Sequence, residues 1–115
     1  MAKLPSTLSP QIRNGTLVWC EGDVFDMFLC LSLTALGSEV SDLTGYAVDV
    51  RFYDAGGAPV HTFTLQGGAS RVVTLEFTES VSAKFRRGRY RFDVSLTDPS
   101  GKCSTVCDDA PVIVR

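Results

Sequence analysis

The 115-residue sequence contains a single histidine, His61, and lacks the motifs of common catalytic and cofactor sites. No Gly-x-Ser-x-Gly elbow is present, and no glycine-rich loop opens a helix to hold a phosphate. His61 lies in "VHTFTL", where an exposed strand histidine is the more ordinary interpretation than a catalytic one. Asp108 and Asp109 lack the remaining positions of a calcium loop, so a solvated turn is the more ordinary interpretation of the pair. We therefore predict a protein that is not an enzyme, with no catalytic residues, no cofactor and no metal.

The sequence also lacks a basic surplus and a long apolar run. Lys and Arg number 11 against 13 Asp and Glu, whereas proteins that contact phosphate backbones normally carry a basic face. The most apolar run, 24–33, is about half of the roughly 20 residues that a membrane-spanning helix needs. Residues 1–10 contain no apolar centre of a secretory signal. Neither nucleic acid nor a membrane is predicted as a partner.

Four cysteines are present, but their spacing fits no common metal site. Cys20 and Cys30 are ten positions apart and Cys103 and Cys107 four, whereas zinc sites use closer pairs. Four residues of straight strand span about 13 Å, which is beyond the reach of a disulfide. Free thiols, typical of a reducing compartment, are the favoured interpretation, and one disulfide is the alternative.

What the sequence has in abundance is alternation of apolar and polar residues, the period of a half-buried β-strand. Glycine and proline turns punctuate the alternation at short intervals. Strands are predicted over 16–20, 24–34, 46–54, 59–65, 71–77, 89–97, 103–107 and 110–115, with a helical turn over 78–85. We predict an all-β fold, an immunoglobulin-like two-sheet antiparallel sandwich of seven to eight strands. Residues 1–14 are expected to form an N-terminal arm and 15–115 a single domain.

The same alternation assigns one face of each strand to the core. The predicted core comprises Phe25, Met27, Leu29, Leu31, Val48, Val50, Phe52, Leu75, Phe92, Val94 and Leu96. Asp26, Asp49 and Asp93 are expected on the opposite faces, because neighbouring side chains of a strand point to opposite sides.

A structural role is predicted for Tyr90 and Gly88. The segment "FRRGRY" leads into a strongly alternating strand, and the tyrosine stands at the start of that strand. This arrangement resembles the tyrosine corner of Greek-key sandwiches, in which the phenol hydroxyl bonds the backbone of the preceding crossover. The hydroxyl of Tyr90 is therefore expected to bond a backbone group within 78–88.

The segment 59–65 is predicted to lie at the edge of a sheet. Pro59 begins it, and it contains no lysine to discourage pairing with another chain. An open edge of this kind is a docking site for another chain or for a second copy. The predicted protein interface consists of Val60, His61, Thr62, Phe63 and Thr64. The competing surfaces are two loop clusters, 21–24 with 54–58 and 78–88 at one end, and 34–45 with 66–70 and 98–102 at the other.

Three segments carry a family resemblance. "GDVFDMFLCL", "DLTGYAVDVRFYDAGGAPV" and "KFRRGRYRFDVSLTDPSGK" follow one another in this order within 15–115. The set resembles the N-terminal domain family of phage baseplate upper proteins, with Gly45 closing the "DLTG" turn. The resemblance implies a non-enzymatic virion component, assembled in the bacterial cytoplasm, that spaces or anchors receptor-binding machinery. Its partners would be other tail or baseplate proteins of a phage or prophage, or further copies of itself.

A second function remains open at this point, that of a bacterial surface or secreted immunoglobulin-like domain for adhesion or carbohydrate binding. Carbohydrate binding needs an aromatic platform, for which Trp19, Tyr46 and Tyr53 are the candidates, although Trp19 is more typical of a core. Disulfides would favour export, whereas free thiols would favour assembly in the cytoplasm.

Overall fold

The chain is built almost entirely of β-strands. The computed structural model describes residues 11–13, 16–31, 34–35, 38–39 and 43–115. The strands of this part are β1 (Gln11–Arg13), β2 (Thr16–Trp19), β3 (Phe25–Cys30), β4 (Thr34–Ala35), β5 (Ser38–Glu39), β6 (Ala47–Asp54), β7 (Pro59–Gln66), β8 (Val72–Phe77), β9 (Gly88–Thr97) and β10 (Cys103–Val114). One helical turn, α1 (Glu79–Ser82), lies between β8 and β9. The prediction of an all-β fold is confirmed.

Two sheets share one core. The larger sheet has six strands in the order β1-β2-β10-β9-β6-β7, and the smaller one pairs β3 with β8. The strand pairs are antiparallel, except that β2 runs parallel to β10. The short strands β4 and β5 form a separate ladder of two residues each. Strand β7 therefore closes one edge of the larger sheet, and β1 closes the other.

Aromatic side chains join the two sheets. Phe77 of β8 stacks on Phe25 of β3 with ring centroids 4.6 Å apart. Trp19 of β2 meets both rings, at 5.3 Å from Phe25 and 5.2 Å from Phe77. Phe52 of β6 completes the contact at 5.7 Å from Phe77. Edge-to-face and offset contacts at these distances are favourable geometries for aromatic rings, so they fix how the sheets pack as well as burying apolar surface.

The predicted core register is largely correct. Nine of the predicted core residues are buried: Phe25, Met27, Val48, Val50, Phe52, Leu75, Phe92, Val94 and Leu96. Leu29 and Leu31 differ, because they pack against the core but are only partly buried. The alternation is clearest in β8, where residues 73, 75 and 77 are buried and 72, 74 and 76 are exposed. Trp19 belongs to the core, with 3% of its surface exposed.

The C-terminal strands were predicted wrongly. The structure has one strand, β10, where the sequence predicted separate strands over 103–107 and 110–115. The ladder with β9 shifts between Thr105 and Cys107 and again between Cys107 and Ala110, and Asp109 adopts a φ of 54°. Bulges of this kind absorb extra residues while pairing continues, so the two aspartates that were interpreted as a turn lie inside the strand.

Three further segments differ from the prediction. Strand β3 ends at Cys30, whereas the predicted strand ran to 34, and residues 32 and 33 lie outside the described residues. Within the predicted N-terminal arm, β1 pairs with β2, and residues 1–10, 14 and 15 lie outside the description. The helical turn α1 is shorter than the predicted 78–85. It starts after Thr78, whose hydroxyl accepts the Val81 N–H as an N-cap.

Truncating a core leucine tests the register quantitatively. Leu75→Ala should lower the free energy of unfolding by about 2–5 kcal/mol, because Leu75 is fully buried between the sheets. Leu29→Ala is the matched control on the paired strand and should cost clearly less, since Leu29 is only partly buried. Urea unfolding of both variants measures the difference, and equal losses would contradict the packing described.

Candidate functional site

The edge strand β7 is the surface that the sequence singled out. It is the outermost strand of the larger sheet beyond β6, as predicted for 59–65. Within the described part of the chain, no strand pairs with its outer side. The opposite edge of the sheet is β1, of which three residues are described, and it ends at the charged Arg13. Short length and charge are two of the means by which proteins protect a sheet edge, and β7 has neither along its eight residues.

A tight turn positions β7 beside β6. The carboxylate of Asp54 accepts the backbone N–H groups of Gly56 at 2.9 Å and Ala58 at 3.0 Å. The Gly57 N–H donates to the Asp54 carbonyl oxygen, and Gly57 has a φ of 85°, a conformation that side chains disfavour. The register then shifts once, near Val60, before regular pairing begins at His61. The predicted glycine turn therefore sets the start of the edge strand.

The hydrogen-bonding pattern shows which backbone groups of β7 are free. The N–H of Gly67 donates to the carbonyl oxygen of Tyr46 at 2.8 Å, just beyond the end of the β6–β7 ladder. Bonded and non-bonded pairs alternate along an antiparallel ladder. Counting back from Gly67, Phe63 is bonded to β6, whereas the N–H and C=O groups of Thr62 and Thr64 point away from the sheet. These groups form an open row of donors and acceptors.

The side chains of β7 alternate in the same way. Phe63 is buried and lies 5.2 Å from Phe77 and 6.0 Å from Phe52, measured between ring centroids. Thr62 and Thr64 are exposed on the other face. The strand holds no Asp, Glu, Lys or Arg. The edge is therefore anchored to the core through one face, while its outer row of backbone groups remains available to another strand.

His61 interacts with a lysine beside the small helix. The Nζ of Lys84 lies 3.0 Å from Nδ1 of His61, and because the ammonium group can only donate, Nδ1 accepts. Burial lowers the pKa of His61 from its usual value of 6.5, and the positive charge of Lys84 lowers it further. The ring also meets Phe63 edge-on at 4.6 Å. This arrangement holds a neutral imidazole in place and provides no base–nucleophile pair.

The His61 pKa predicts a pH effect with a definite sign. A histidine whose pKa is lower in the folded than in the unfolded protein makes the native state bind fewer protons, so stability decreases as pH falls below about 6.5. Lys84→Met should raise the His61 pKa toward 6.5 without reaching it, because burial remains. An NMR titration of the imidazole measures both values, with Lys102→Met as a control that should leave the pKa unchanged. An unaltered pKa in Lys84→Met would contradict the contact.

Tyr90 makes the hydrogen bond expected of it. Its hydroxyl donates to the carbonyl oxygen of Arg86 at 2.6 Å, within the predicted segment 78–88. The ring packs 5.2 Å from Phe85, and burial raises the pKa of the phenol. Gly88 begins β9 with a φ of 154°. Tyr90 therefore connects the crossover that follows the smaller sheet to the first residues of β9.

Removing the Tyr90 hydroxyl should cost stability. Tyr90→Phe is expected to lower the free energy of unfolding by about 1 kcal/mol, the usual contribution of one hydrogen bond. Tyr46→Phe is the control, because its hydroxyl makes no hydrogen bond within the described residues. Thermal or urea unfolding compares the two variants, and an equal effect of both would show that the bond to Arg86 contributes nothing.

The described parts of the loops lie at two ends of the sheets, and residues 36–37 and 40–42 of the predicted second cluster lie outside the described residues. At one end, a carboxylate oxygen of Glu21 accepts the Arg87 backbone N–H at 3.0 Å, and the Ser82 hydroxyl donates to the carbonyl oxygen of Asp23. At the other end, a Cβ on Gly67 would lie 2.1 Å from the Leu43 carbonyl oxygen, so only glycine fits there. These contacts make both loop ends well packed.

Glycine is required for a second reason at Gly45. Its φ of 84° is disfavoured for other residues, and a Cβ there would lie 3.0 Å from the Pro99 side chain. The predicted structural role of Gly45 is consistent with this geometry, because it brings the turn before β6 close to the turn after β9.

A shallow cleft of about 380 Å³ lies between the β6–β7 turn and the bulged part of β10. Asp54, Asp93 and Asp108 line it, and Arg91 bridges to Asp109 at 3.1 Å. The side chains described include no group of three or more His, Cys, Asp or Glu that could hold a metal ion. One buried oxygen, Oδ1 of Asp93, has no hydrogen-bond partner.

The cysteines that the structure describes are not paired. Cys20 and Cys103 are exposed free thiols, and Cys107 is a partly buried one. Burial raises the pKa of the Cys107 thiol, and the negative charges of Asp108 and Asp93 raise it further. The Cys30 side chain lies outside the description. Among the described residues, no helix is long and apolar enough to cross a membrane.

The smaller sheet exposes a pair of apolar side chains. Phe28 of β3 is 52% exposed and Val72 of β8 is 43% exposed, on the face directed away from the core. The alternation of the sequence predicts that Phe28 lies on this outward face, but it does not predict what contacts Phe28 there.

Comparisons with protein-family profiles, curated proteins and solved structures find no match to this chain.

Proposed function

We propose that the chain is a non-catalytic attachment module of a phage or prophage tail or baseplate, which holds other proteins of the particle, or further copies of itself, through the open edge of β7. The observation that carries the proposal is this edge. It combines eight strand residues without Asp, Glu, Lys or Arg, an anchored inner face and an outward row of backbone groups with which no described strand pairs. Strand addition uses these features, because main-chain hydrogen bonds supply much of the affinity.

The strand arrangement supports an immunoglobulin-like fold for this module. Strands β6, β9 and β10 lie side by side as C, F and G do in such domains, and β7 continues the sheet beyond β6 as the additional C′ strand does. The opposing pair, β3 with β8, corresponds to B with E. The hydrogen bond of Tyr90 also resembles the tyrosine corner of such domains. Immunoglobulin-like modules commonly serve recognition, although the fold alone assigns no function.

Thiol state favours assembly in the cytoplasm. Cys20, Cys103 and Cys107 are free, and exported domains of this size generally use cysteines as disulfides. A virion component folds and assembles inside the bacterial cell, where thiols stay reduced. The free cysteines therefore support a particle protein over the alternative of a secreted adhesion domain.

Trp19, the main candidate residue for carbohydrate binding, is buried. A sugar-binding platform needs an exposed aromatic face, and only 3% of the Trp19 surface is exposed. Its ring is enclosed by Phe25, Phe77 and Phe85. Tyr46 and Tyr53 are partly buried and lie at opposite ends of β6, so they do not form a joint platform.

A proline substitution in β7 tests the attachment edge. Thr62→Pro removes an N–H that points away from β6, so the fold should persist while strand addition is blocked. Thr62→Val is the matched control, because it changes the side chain and keeps the backbone donor. When each variant replaces the native chain in its host, we expect at least tenfold less of the proline variant in purified tail particles, measured by mass spectrometry, and a normal amount of the valine variant.

Two results would contradict the proposal in different ways. Normal incorporation of a folded Thr62→Pro variant, verified by circular dichroism, would exclude the β7 edge as the attachment surface. Labelling of intact cells, and not of tailed particles, by an antibody to the chain would exclude the particle assignment and favour the adhesion domain.

A further inference from the structure

The outer row of β7 is self-complementary. Among the described residues, its free backbone groups belong to Thr62 and Thr64, which stand on either side of Phe63, and to Gln66 at the end of the strand. Two antiparallel copies of the strand can therefore pair in three registers in which the threonine groups meet one another. Thr62 meets Thr62 of the second copy in one register, Thr64 meets Thr64 in another, and Thr62 meets Thr64 in the third.

Charges on the neighbouring strand distinguish the three registers. Arg51 of β6 lies beside Thr62, and Asp49 lies beside Thr64, on the same outer face of the sheet. Pairing Thr62 with Thr62 places two Arg51 side chains in one row across the joined sheet, and pairing Thr64 with Thr64 places two Asp49 side chains in one row. Pairing Thr62 with Thr64 places Asp49 of each copy in line with Arg51 of the other.

The charge rows act over a moderate distance. Three strand spacings of about 4.8 Å separate the backbones of Asp49 and the opposing Arg51, roughly 14 Å in all. Within one chain the two side chains are 3.9 Å apart, and both are partly exposed. Opposite charges at such range attract weakly and like charges repel weakly, so they select a register and do not by themselves hold the copies together.

We infer that two copies of the chain pair β7 with β7 in antiparallel orientation, centred on Phe63, with Thr62 of each copy opposite Thr64 of the other. This inference rests on the proposed function and names the partner as a second copy. The two larger sheets become one continuous sheet of twelve strands, because each contributes six. Thr62 and Thr64 supply four inter-chain backbone hydrogen bonds as two bonded pairs. Threonine pairs and an aromatic pair opposite one another are favourable cross-strand combinations.

The difference between the two edges of the sheet explains why this pairing gives a dimer and not a longer assembly. Of the two edges as described, β7 has eight residues without Asp, Glu, Lys or Arg, whereas β1 covers three described residues and ends at Arg13. A two-fold axis through Phe63 consumes the open edge of both copies at once, so pairing stops at a dimer. A head-to-tail arrangement would leave one edge open and continue indefinitely.

A charge exchange tests the register. Asp49→Arg and Arg51→Asp each turn the attraction between the copies into repulsion, and the double exchange restores opposite charges between the copies and between positions 49 and 51. Asp93 of β9 faces position 51 within the same chain, so any cost of Arg51→Asp to folding is carried by the double exchange as well and is measured by urea unfolding. At about 10 mM salt, where the Debye length is about 30 Å, each single variant should weaken the dimer about three- to tenfold in sedimentation velocity. The double exchange should return its dissociation constant to within about twofold of the original. Thr62→Pro should be a monomer, whereas Thr62→Val should dimerise normally.

The outcomes separate this inference from the proposed function. A monomeric native chain, or a double exchange no tighter than the single variants, would overturn self-pairing in this register. If Thr62→Pro were nevertheless lost from tail particles, the attachment edge would stand with a different partner. If Thr62→Pro entered particles normally and the native chain were monomeric, both the inference and the proposed function would be wrong. Urea unfolding of each variant identifies any loss that comes from folding.

Discussion

The packing of the β3–β8 pair onto the larger sheet is the interaction on which the rest of the structure depends. A two-stranded sheet alone is at best marginally stable in water, so β3 and β8 persist only because they bury Phe25, Leu75 and Phe77 against the opposite sheet. Trp19 stands at the centre of this contact and meets rings from both sides. The same contact gives the larger sheet a dry inner face, which fixes the register of its strands.

This core also holds the edge strand β7 in place. Phe63 of β7 touches Phe52 and Phe77, so the edge strand is fixed to both sheets through one residue at its middle. His61 adds a contact to Lys84 on the crossover after α1. The outward backbone groups of Thr62 and Thr64 are therefore held in an extended conformation before any partner arrives. An ordered edge loses little conformational freedom on binding, which supports β7 as the proposed attachment surface.

Much of this arrangement can be predicted from the sequence, because strict alternation reports which face of a strand is buried. It locates β6, β7, β8 and β9 closely. The segment before Tyr90 indicates the tyrosine hydrogen bond, and the composition of 59–65 indicates the edge position of β7. Alternation fails at β10, since Asp108 and Asp109 resemble a turn and a bulge has no local signature of its own. The Lys84–His61 contact joins positions 23 apart and depends on how α1 packs, so no local pattern indicates it. The exposure of Phe28 is not indicated either, because alternation reports only the side of the strand on which a residue lies and not what covers that side.

The most direct test of the account is amide hydrogen exchange along β7, resolved residue by residue. In the dilute free chain, the Phe63 and Leu65 amides should exchange slowly and those of Thr62 and Thr64 quickly, because only the first pair is bonded to β6. In the assembled state, the Thr62 and Thr64 amides should become strongly protected. If they gain no protection while residues 21–24 or 98–102 do, the chain binds by its loops and the account of the edge strand is wrong.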